Sequence, residues 1–110
     1  MTGTEALTVV TGGAGFIGSH LVENLVNRGE RVRVVERPGA DAAHLPAGVE
    51  VVRADILDRE AVAKALQGST RVYHLAANPN LWARDRAEFD AVNHIGTVNV
   101  LDAALDAGAE

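Results

Sequence analysis

The sequence TGGAGFIGSHL, residues 11–21, decides how the rest of the chain is interpreted. It contains two overlapping glycine patterns, Gly13-x-Gly15-x-x-Gly18 and Gly12-x-x-Gly15-x-x-Gly18. A β-branched apolar run precedes these patterns, and apolar residues at helical spacing follow them. In a strand–turn–helix context, glycines allow a sharp turn, close approach of a pyrophosphate to backbone N–H groups, and close helix–sheet packing. The helix N-terminus attracts the anion through its N–H groups and dipole, so this kind of site needs no lysine.

The glycine turn has two other interpretations. The first is a tight strand-to-helix connection that binds nothing. The second is a Walker phosphate loop, because Gly13 and Gly18 have its spacing. That loop requires lysine and then serine or threonine after the last glycine. Here Ser19 and His20 follow Gly18, which excludes the Walker interpretation.

The remaining sequence predicts alternating strands and helices. Strands are expected at Leu7–Thr11, Val32–Val35, Val49–Ala54 and Val72–Ala76. Helices are expected after the glycine turn, after a capping Asp58, and from about Arg86 to Asp106. The order β-α-β-β-α-β-α implies parallel strands joined by right-handed crossovers, and their apolar character implies a sheet covered on both faces. The predicted fold class is therefore α/β, a doubly wound parallel sheet of the Rossmann type.

The end of the chain predicts that the domain is incomplete. The segment DAGAE, residues 106–110, is typical of a helix end that leads toward another strand. A four-stranded sheet ending there leaves Val72–Ala76 at an edge with unpaired backbone groups. Residues 1–110 are accordingly expected to be the N-terminal part of one NAD(P)-binding Rossmann domain.

Composition narrows the possible functions. The 110 residues carry a net charge of −5, which argues against binding nucleic acid or an anionic membrane through bulk charge. There is no cysteine, so disulfides and thiolate chemistry are excluded, and the four histidines have no metal-ligand spacing. No membrane-length apolar run or signal peptide is recognisable, and a cytoplasmic location is expected.

Residues at the ends of the later strands are candidates for binding the rest of a dinucleotide. Glu36 lies 18 residues after Gly18, where a carboxylate accepts hydrogen bonds from ribose hydroxyls and favours NAD. The adjacent Arg37 could instead pair with the 2′-phosphate of NADP, so the cofactor choice stays open. Asp55 is expected near the adenine, and the small residues at 75–77 would let the nicotinamide-side ribose approach the backbone. The alternatives are solvated charges at a strand end for Glu36 and Arg37, a loop-start carboxylate for Asp55, and core packing for residues 75–77.

These residues resemble the extended short-chain dehydrogenase/reductase family, the NAD-dependent epimerases and dehydratases. The resemblance covers nearly the whole chain, and it is carried by TGGAGFIGSHL at 11–21, VVE at 34–36, ADI at 54–56, HLAA at 74–77 and NHIGTVNVLDAA at 93–104. It implies that the pyrophosphate is held by Gly12, Gly15, Phe16 and Ile17. It also places Glu36 at the ribose, Asp55 and Ile56 at the adenine, Leu75, Ala76 and Ala77 at the nicotinamide half, and Asn93 facing the cofactor and active site.

The resemblance further implies an enzyme that transfers hydride to and from NAD or NADP. Its substrate would be a nucleotide sugar or a similar alcohol or ketone, and the full-length protein would be a homodimer. The family performs its chemistry with Ser/Thr and Tyr-x-x-x-Lys, but the single tyrosine, Tyr73, is followed four residues later by Ala77. No catalytic residue is therefore assigned, and the 110 residues alone are expected to be inactive. A dinucleotide sensor without catalysis is the alternative.

Overall fold

The computed structural model describes residues 6–76 and 94–109, which form a parallel sheet with helices on both faces. The elements in chain order are β1 (Thr8–Thr11), α1 (Phe16–Asn27), β2 (Val32–Glu36), β3 (Glu50–Arg53), α2 (Arg59–Ala65), β4 (Arg71–His74) and α3 (Gly96–Ala107). This order and the α/β class confirm the sequence prediction. The predicted loop at 78–85 and the first part of the predicted last helix, 86–93, lie outside the described residues.

The strands are arranged in the order β3-β2-β1-β4, and every pair is parallel. The chain therefore moves from β1 outward through β2 to β3, then crosses to the other side of β1 to form β4. Thr11 lies opposite both Val35 and His74, so the carboxyl ends of the three strands meet at one level. This crossing creates a topological switch point between β1 and β4, the place where open α/β sheets bind ligands.

Side chains of β1 and β2 point alternately to the two faces of the sheet, and each face has its own hydrophobic core. Val10 and Val34 pack with Val22 and Leu25 of α1 on one face. The neighbouring Val9 and Val35 point to the other face, where α2 and α3 contribute buried residues that include Val62, Leu66 and Val100. Both strands are consequently apolar at successive positions, as a sheet covered on both sides requires.

The ends of two strands differ from their predicted positions. The third strand is Glu50–Arg53 rather than Val49–Ala54, and the fourth is Arg71–His74 rather than Val72–Ala76. Since β1 ends at Thr11, β4 has no strand partner beyond this level. The Leu75 N–H still donates to the Thr11 carbonyl, at 3.0 Å, and the N–H groups of Leu75 and Ala76 also reach the Thr11 hydroxyl oxygen, at 3.1 and 3.2 Å.

The start of α2 and the end of α3 follow the signals in the sequence. Asp58 caps α2 as predicted, since its carboxylate accepts the N–H of Ala61 at 3.2 Å. Helix α3 ends at Gly108 in the left-handed conformation that glycine adopts without strain. None of the helices in the described ranges is long and apolar enough to cross a membrane.

Arg33 joins three elements at the amino end of the sheet, and its loss is expected to destabilise the fold. Its Nε lies 2.7 Å from Glu50 of β3, and its Nη1 donates to the carbonyls of Ala65 and Gln67 at 2.9 and 2.8 Å. The side chain is only 14% exposed. Hydrogen bonds from a charged donor contribute about 1.5–3 kcal/mol, and the exposed Glu50 adds little. Arg33→Met should lower the free energy of unfolding in urea by about 2 kcal/mol.

Arg28→Met is the matched control, because the Arg28 side chain is 65% exposed and lies 3.9 Å from Glu30. Its effect should stay within about 0.5 kcal/mol. Equal losses in the two variants would show that the three contacts of Arg33 contribute nothing specific.

Candidate functional site

A cleft of about 730 Å³ opens at the carboxyl ends of the strands, at the switch point between β1 and β4. Most of the described residues singled out from sequence line it, namely Gly12, Gly15, Phe16, Ile17, Gly18, Glu36, Arg37, Asp55, Ile56, Leu75 and Ala76. Three further lining residues, Val35, Ala54 and Leu57, adjoin predicted ones in sequence. Gly13 is not among them, and Ala77 and Asn93 lie outside the described residues.

The glycines of the turn have different neighbours. Gly12 has a φ of +71°, and a Cβ there would lie 2.8 Å from the backbone nitrogen of Ala76. A Cβ on Gly18 would lie 2.8 Å from the Gly13 Cα and would collide with the Gly12 carbonyl oxygen. A Cβ on Gly13 would meet the methyl groups of Val34 at 2.9 Å. These three glycines therefore let the turn pack against the sheet and against α1.

Gly15 is the exception, because its missing side chain faces open space. The nearest atom to a Cβ at this position would be the Gly12 carbonyl oxygen, at 3.4 Å. Gly15 is also the N-cap of α1, with extended backbone angles and no capping side chain. It lines the cleft, so the turn leaves room there for a ligand to approach the backbone.

The N-terminus of α1 presents hydrogen-bond donors to this space. The first intrahelical bond runs from the Ser19 N–H to the Gly15 carbonyl, at 2.8 Å. The N–H groups of Phe16, Ile17 and Gly18 precede it and have no carbonyl partner within the helix. Together with the helix dipole they form a region that favours an anion.

Glu36 lies across the cleft and contacts the glycine turn directly. Its carboxylate accepts the N–H of Ala14 at 3.0 Å and the N–H of Arg37 at 3.3 Å. The Ala14 carbonyl lies 3.0 Å from His44 Nε2, so both the N–H and the carbonyl of Ala14 are held. The half-buried carboxylate is fixed beside the turn, whereas the Arg37 side chain is exposed at the same edge of the cleft.

The segment after β3 is supported from behind by α3. Asp55 is exposed, and its carboxylate accepts the Leu57 N–H at 2.9 Å. The carbonyl of Ile56 accepts a hydrogen bond of 2.8 Å from the buried side chain of Asn99. Gly96 lies so close to Ile56 that a Cβ would fall 2.5 Å from its side chain. Asn99 was missed by sequence reasoning, although an amide beside the buried Val100 of a predicted helix was a usable signal.

No group of three metal-ligating side chains occurs within residues 6–76 and 94–109. The polar groups that face the cleft there are backbone N–H groups, carboxylates and a guanidinium. This set suits an anionic, hydroxyl-bearing ligand better than a metal ion.

Comparison with known proteins identifies the family. Residues 8–110 match the sequence profile of the NAD dependent epimerase/dehydratase family. Sterol demethylase protein B of Methylococcus capsulatus is 42% identical over 103 residues, covering 92% of this chain and 31% of that protein. A putative dihydroflavonol 4-reductase of Synechocystis is 36% identical over 104 residues, covering 92% of this chain and 29% of that protein.

A solved structure shows the same arrangement of the backbone. The UDP-glucose 4-epimerase of Thermus thermophilus, in complex with NAD, superposes with a TM-score of 0.85 at 38% identity. The superposition covers 94% of this chain and 35% of the epimerase, so the chain spans about a third of the length of the proteins it matches. The sequence match and the shared fold together show that the chain belongs to the NAD-dependent epimerase/dehydratase family.

Proposed function

We propose that these residues bind NAD and form the cofactor-binding part of an epimerase, dehydratase or reductase. The observation that carries the proposal is the cleft at the switch point, where Gly15 leaves space beside the unpaired N–H groups of α1. The pyrophosphate would lie over Gly15, Phe16 and Ile17. Any larger residue at position 15 would occupy this space, so the turn fits the group that the family binds.

The remaining parts of the dinucleotide fit the two sides of the cleft. The adenosine ribose would meet the Glu36 carboxylate, and the adenine would lie along Asp55 and Ile56. The nicotinamide half would lie beside Leu75 and Ala76, where a Cβ on Gly12 would fall 2.8 Å from the Ala76 nitrogen. When bound, the nicotinamide supplies hydride transfer, and the protein residues orient it and hold it. Ala77 and Asn93 are proposed for the same half from the family resemblance.

The proposal includes a class of substrate. Two similar proteins, a UDP-glucose 4-epimerase and a putative dihydroflavonol 4-reductase, support a substrate with a hydroxyl or carbonyl group. A nucleotide sugar is one such substrate. Hydride transfer interconverts an alcohol and a ketone, which is the chemistry common to these classes of substrate.

Calorimetric titration of NAD into the folded 110-residue chain tests the cofactor assignment. Saturable binding of NAD, displaced by ADP-ribose, is the expected result, because ADP-ribose retains the adenine, both riboses and the pyrophosphate. A folded chain that shows no heat of binding at about 1 mM NAD, where even a weak complex forms, would contradict the proposal.

NAD is expected to bind more tightly than NADP. The Glu36 carboxylate is fixed beside the turn, and two like charges near 4 Å cost about 1–4 kcal/mol. Dissociation constants for NADH and NADPH, measured by fluorescence, should therefore differ by about tenfold or more. Glu36→Gln keeps an acceptor for Ala14 but removes the charge, so it should reduce the difference. Tighter NADPH binding in the wild type would mean that Arg37 determines the preference.

The 110-residue chain is expected to be catalytically inactive even when it binds cofactor. Its single tyrosine, Tyr73, is followed at the fourth position by Ala77, and its single lysine is Lys64. No tyrosine–lysine pair at the family spacing is present to transfer a proton to or from a substrate oxygen. NADH formation with UDP-glucose and simple secondary alcohols should equal the protein-free rate. Turnover that persists after repeated purification would reveal a catalytic group among these residues.

A further inference from the structure

A part-buried hydrogen-bond relay lies directly behind the proposed nicotinamide side of the cleft. Thr11 is completely buried at the end of β1, and its Oγ1 accepts the N–H groups of Leu75 at 3.1 Å and Ala76 at 3.2 Å. A hydroxyl oxygen has two lone pairs and one proton. The Leu75 N–H is shared with the Thr11 carbonyl oxygen, at 3.0 Å. Because both amides can only donate, the hydroxyl proton is left for the third contact, His74 Nδ1 at 2.6 Å.

This donor fixes the state of the imidazole ring. Because Nδ1 accepts from Thr11, it carries no proton, and a neutral ring then carries its proton on Nε2. Nε2 lies 3.2 Å from the hydroxyl of Thr97 on α3, to which it donates. The direction of every hydrogen bond, from the Leu75 and Ala76 amides to Thr97, follows from the two amides at the start.

The relay determines where the wall of the cleft lies. Leu75 and Ala76 line the cleft, and a Cβ on Gly12 would lie 2.8 Å from the Ala76 nitrogen. Gly12 therefore limits the movement of these residues from one side, and the Thr11 hydroxyl holds their N–H groups. We propose that His74, as its Nε2–H tautomer, is a positioning residue for the dinucleotide site, since it orients the hydroxyl that holds Leu75 and Ala76. This inference rests on the proposed function of the cleft.

Protonation of His74 would break the relay. A second proton on Nδ1 would face the Thr11 hydroxyl proton, and the hydroxyl could then accept no more than one of the two amides. Burial lowers the pKa of His74 below its ordinary value of about 6.5. The relay is consequently intact at neutral pH and is lost as the pH falls through this lowered pKa.

The charged groups of the neighbouring elements are few. Strand β1 contributes none, and Arg71 and Tyr73 of β4 belong to the opposite face of the sheet by alternation. On α3, Asp102 is paired with Arg59 at 2.8 Å, and Asp106 lies one turn farther along. His94, before α3, is exposed. Among the described residues, His74 is thus the titratable group that contacts Thr11.

Nuclear magnetic resonance of the ¹⁵N-labelled 110-residue chain tests the relay without any cofactor. Two-bond ¹H–¹⁵N spectra at neutral pH should show His74 protonated at Nε2 and unprotonated at Nδ1. The Leu75 and Ala76 amide signals should move together with the His74 ring signals between about pH 8 and about pH 5. His74→Asn offers an acceptor that does not titrate, so the movement should disappear in this variant. A ring protonated at Nδ1, or equal movement in both proteins, would overturn the proposal.

NADH affinity then tests the consequence for binding. His74→Asn should keep the neutral-pH affinity within about threefold, whereas His74→Leu should lose about tenfold, the effect of one ordinary hydrogen bond. Over the same pH range, the wild type should lose affinity that His74→Asn retains, because the other site residues are common to both. Equal affinities for the asparagine and leucine variants would overturn the positioning role. Absence of NADH binding in every protein would contradict the proposed function, while the spectra would still decide the tautomer.

Discussion

Valine at position 15 is expected to abolish dinucleotide binding while the chain stays folded. Gly15 has backbone angles of −72° and 177°, in the extended region that valine readily adopts. Its Cβ would have a single neighbour, the Gly12 carbonyl oxygen at 3.4 Å, which is an ordinary contact distance. The isopropyl group would extend into the cleft, where the proposed pyrophosphate approaches the N–H groups of α1. The NAD affinity should fall at least about 100-fold, equivalent to about 2.8 kcal/mol.

A graded pair of variants separates binding from stability. Gly15→Ala adds one methyl group at the same place and should weaken NAD binding less than Gly15→Val does. Both variants should unfold in urea within about 1 kcal/mol of the wild type, because the neighbour of the added Cβ, the Gly12 carbonyl oxygen, lies at an ordinary contact distance. Calorimetric titration of the wild type and the two variants gives the NAD affinity, and urea unfolding gives the free energy of unfolding independently. Unchanged NAD affinity in a folded Gly15→Val protein would remove the pyrophosphate from this turn.

The part of the candidate site that could be predicted from the sequence consists of residues close together in the chain. The glycine turn follows a β-branched strand and opens an amphipathic helix, so local sequence already specifies its geometry. Glu36 and Asp55 could be assigned for a similar reason, since each comes at the end of a predicted strand. Parallel strands place their carboxyl ends at one edge of the sheet, and the structure brings both residues to the same cleft.

The parts that could not be predicted depend on pairs distant in sequence. Thr11 and His74 are 63 residues apart, and Ile56 and Asn99 are 43 apart, so nothing in either neighbourhood indicates its partner. The same cause explains the shorter β4, because Leu75 and Ala76 are apolar and continue the strand pattern. Because β1 ends at that level, the Ala76 amide finds the Thr11 hydroxyl, and the Leu75 amide is shared between that hydroxyl and the Thr11 carbonyl.

Gly13 shows a different limit of sequence reasoning. The pattern Gly13-x-Gly15-x-x-Gly18 treats its three glycines alike, yet only Gly15 has open space in place of a Cβ. Gly13 faces the sheet, against Val34 and Val22. A motif records that glycine is needed at a position, whereas the neighbouring atoms decide whether the need comes from a ligand or from the fold.

Alanine at position 18 is therefore expected to damage the fold itself. Gly18 is buried in the first turn of α1, and its Cβ would collide with the Gly12 carbonyl oxygen and lie 2.8 Å from the Gly13 Cα. Both neighbours are backbone atoms of the turn, which cannot move without displacing α1 from β1. Alanine gains about 1 kcal/mol of helix propensity over glycine, but this overpacking should outweigh the gain. We expect a net loss of about 3 kcal/mol or more, a large part of the 5–15 kcal/mol typical of a domain.

Gly96→Ala provides the matched comparison, because Gly96 is also a buried glycine in the first turn of a helix. Its Cβ would meet the side chain of Ile56 rather than backbone, with the nearest atom the terminal Cδ1 at 2.5 Å. Ile56 can change rotamer, so the same gain in helix propensity should be offset by a smaller strain. Urea unfolding should place Gly96→Ala within about 1.5 kcal/mol of the wild type and Gly18→Ala well below it. If Gly18→Ala and Gly96→Ala were equally stable, the glycine turn would be able to move away from α1. The close contact between Gly12 and Gly18 would then not be needed to hold the turn against the helix.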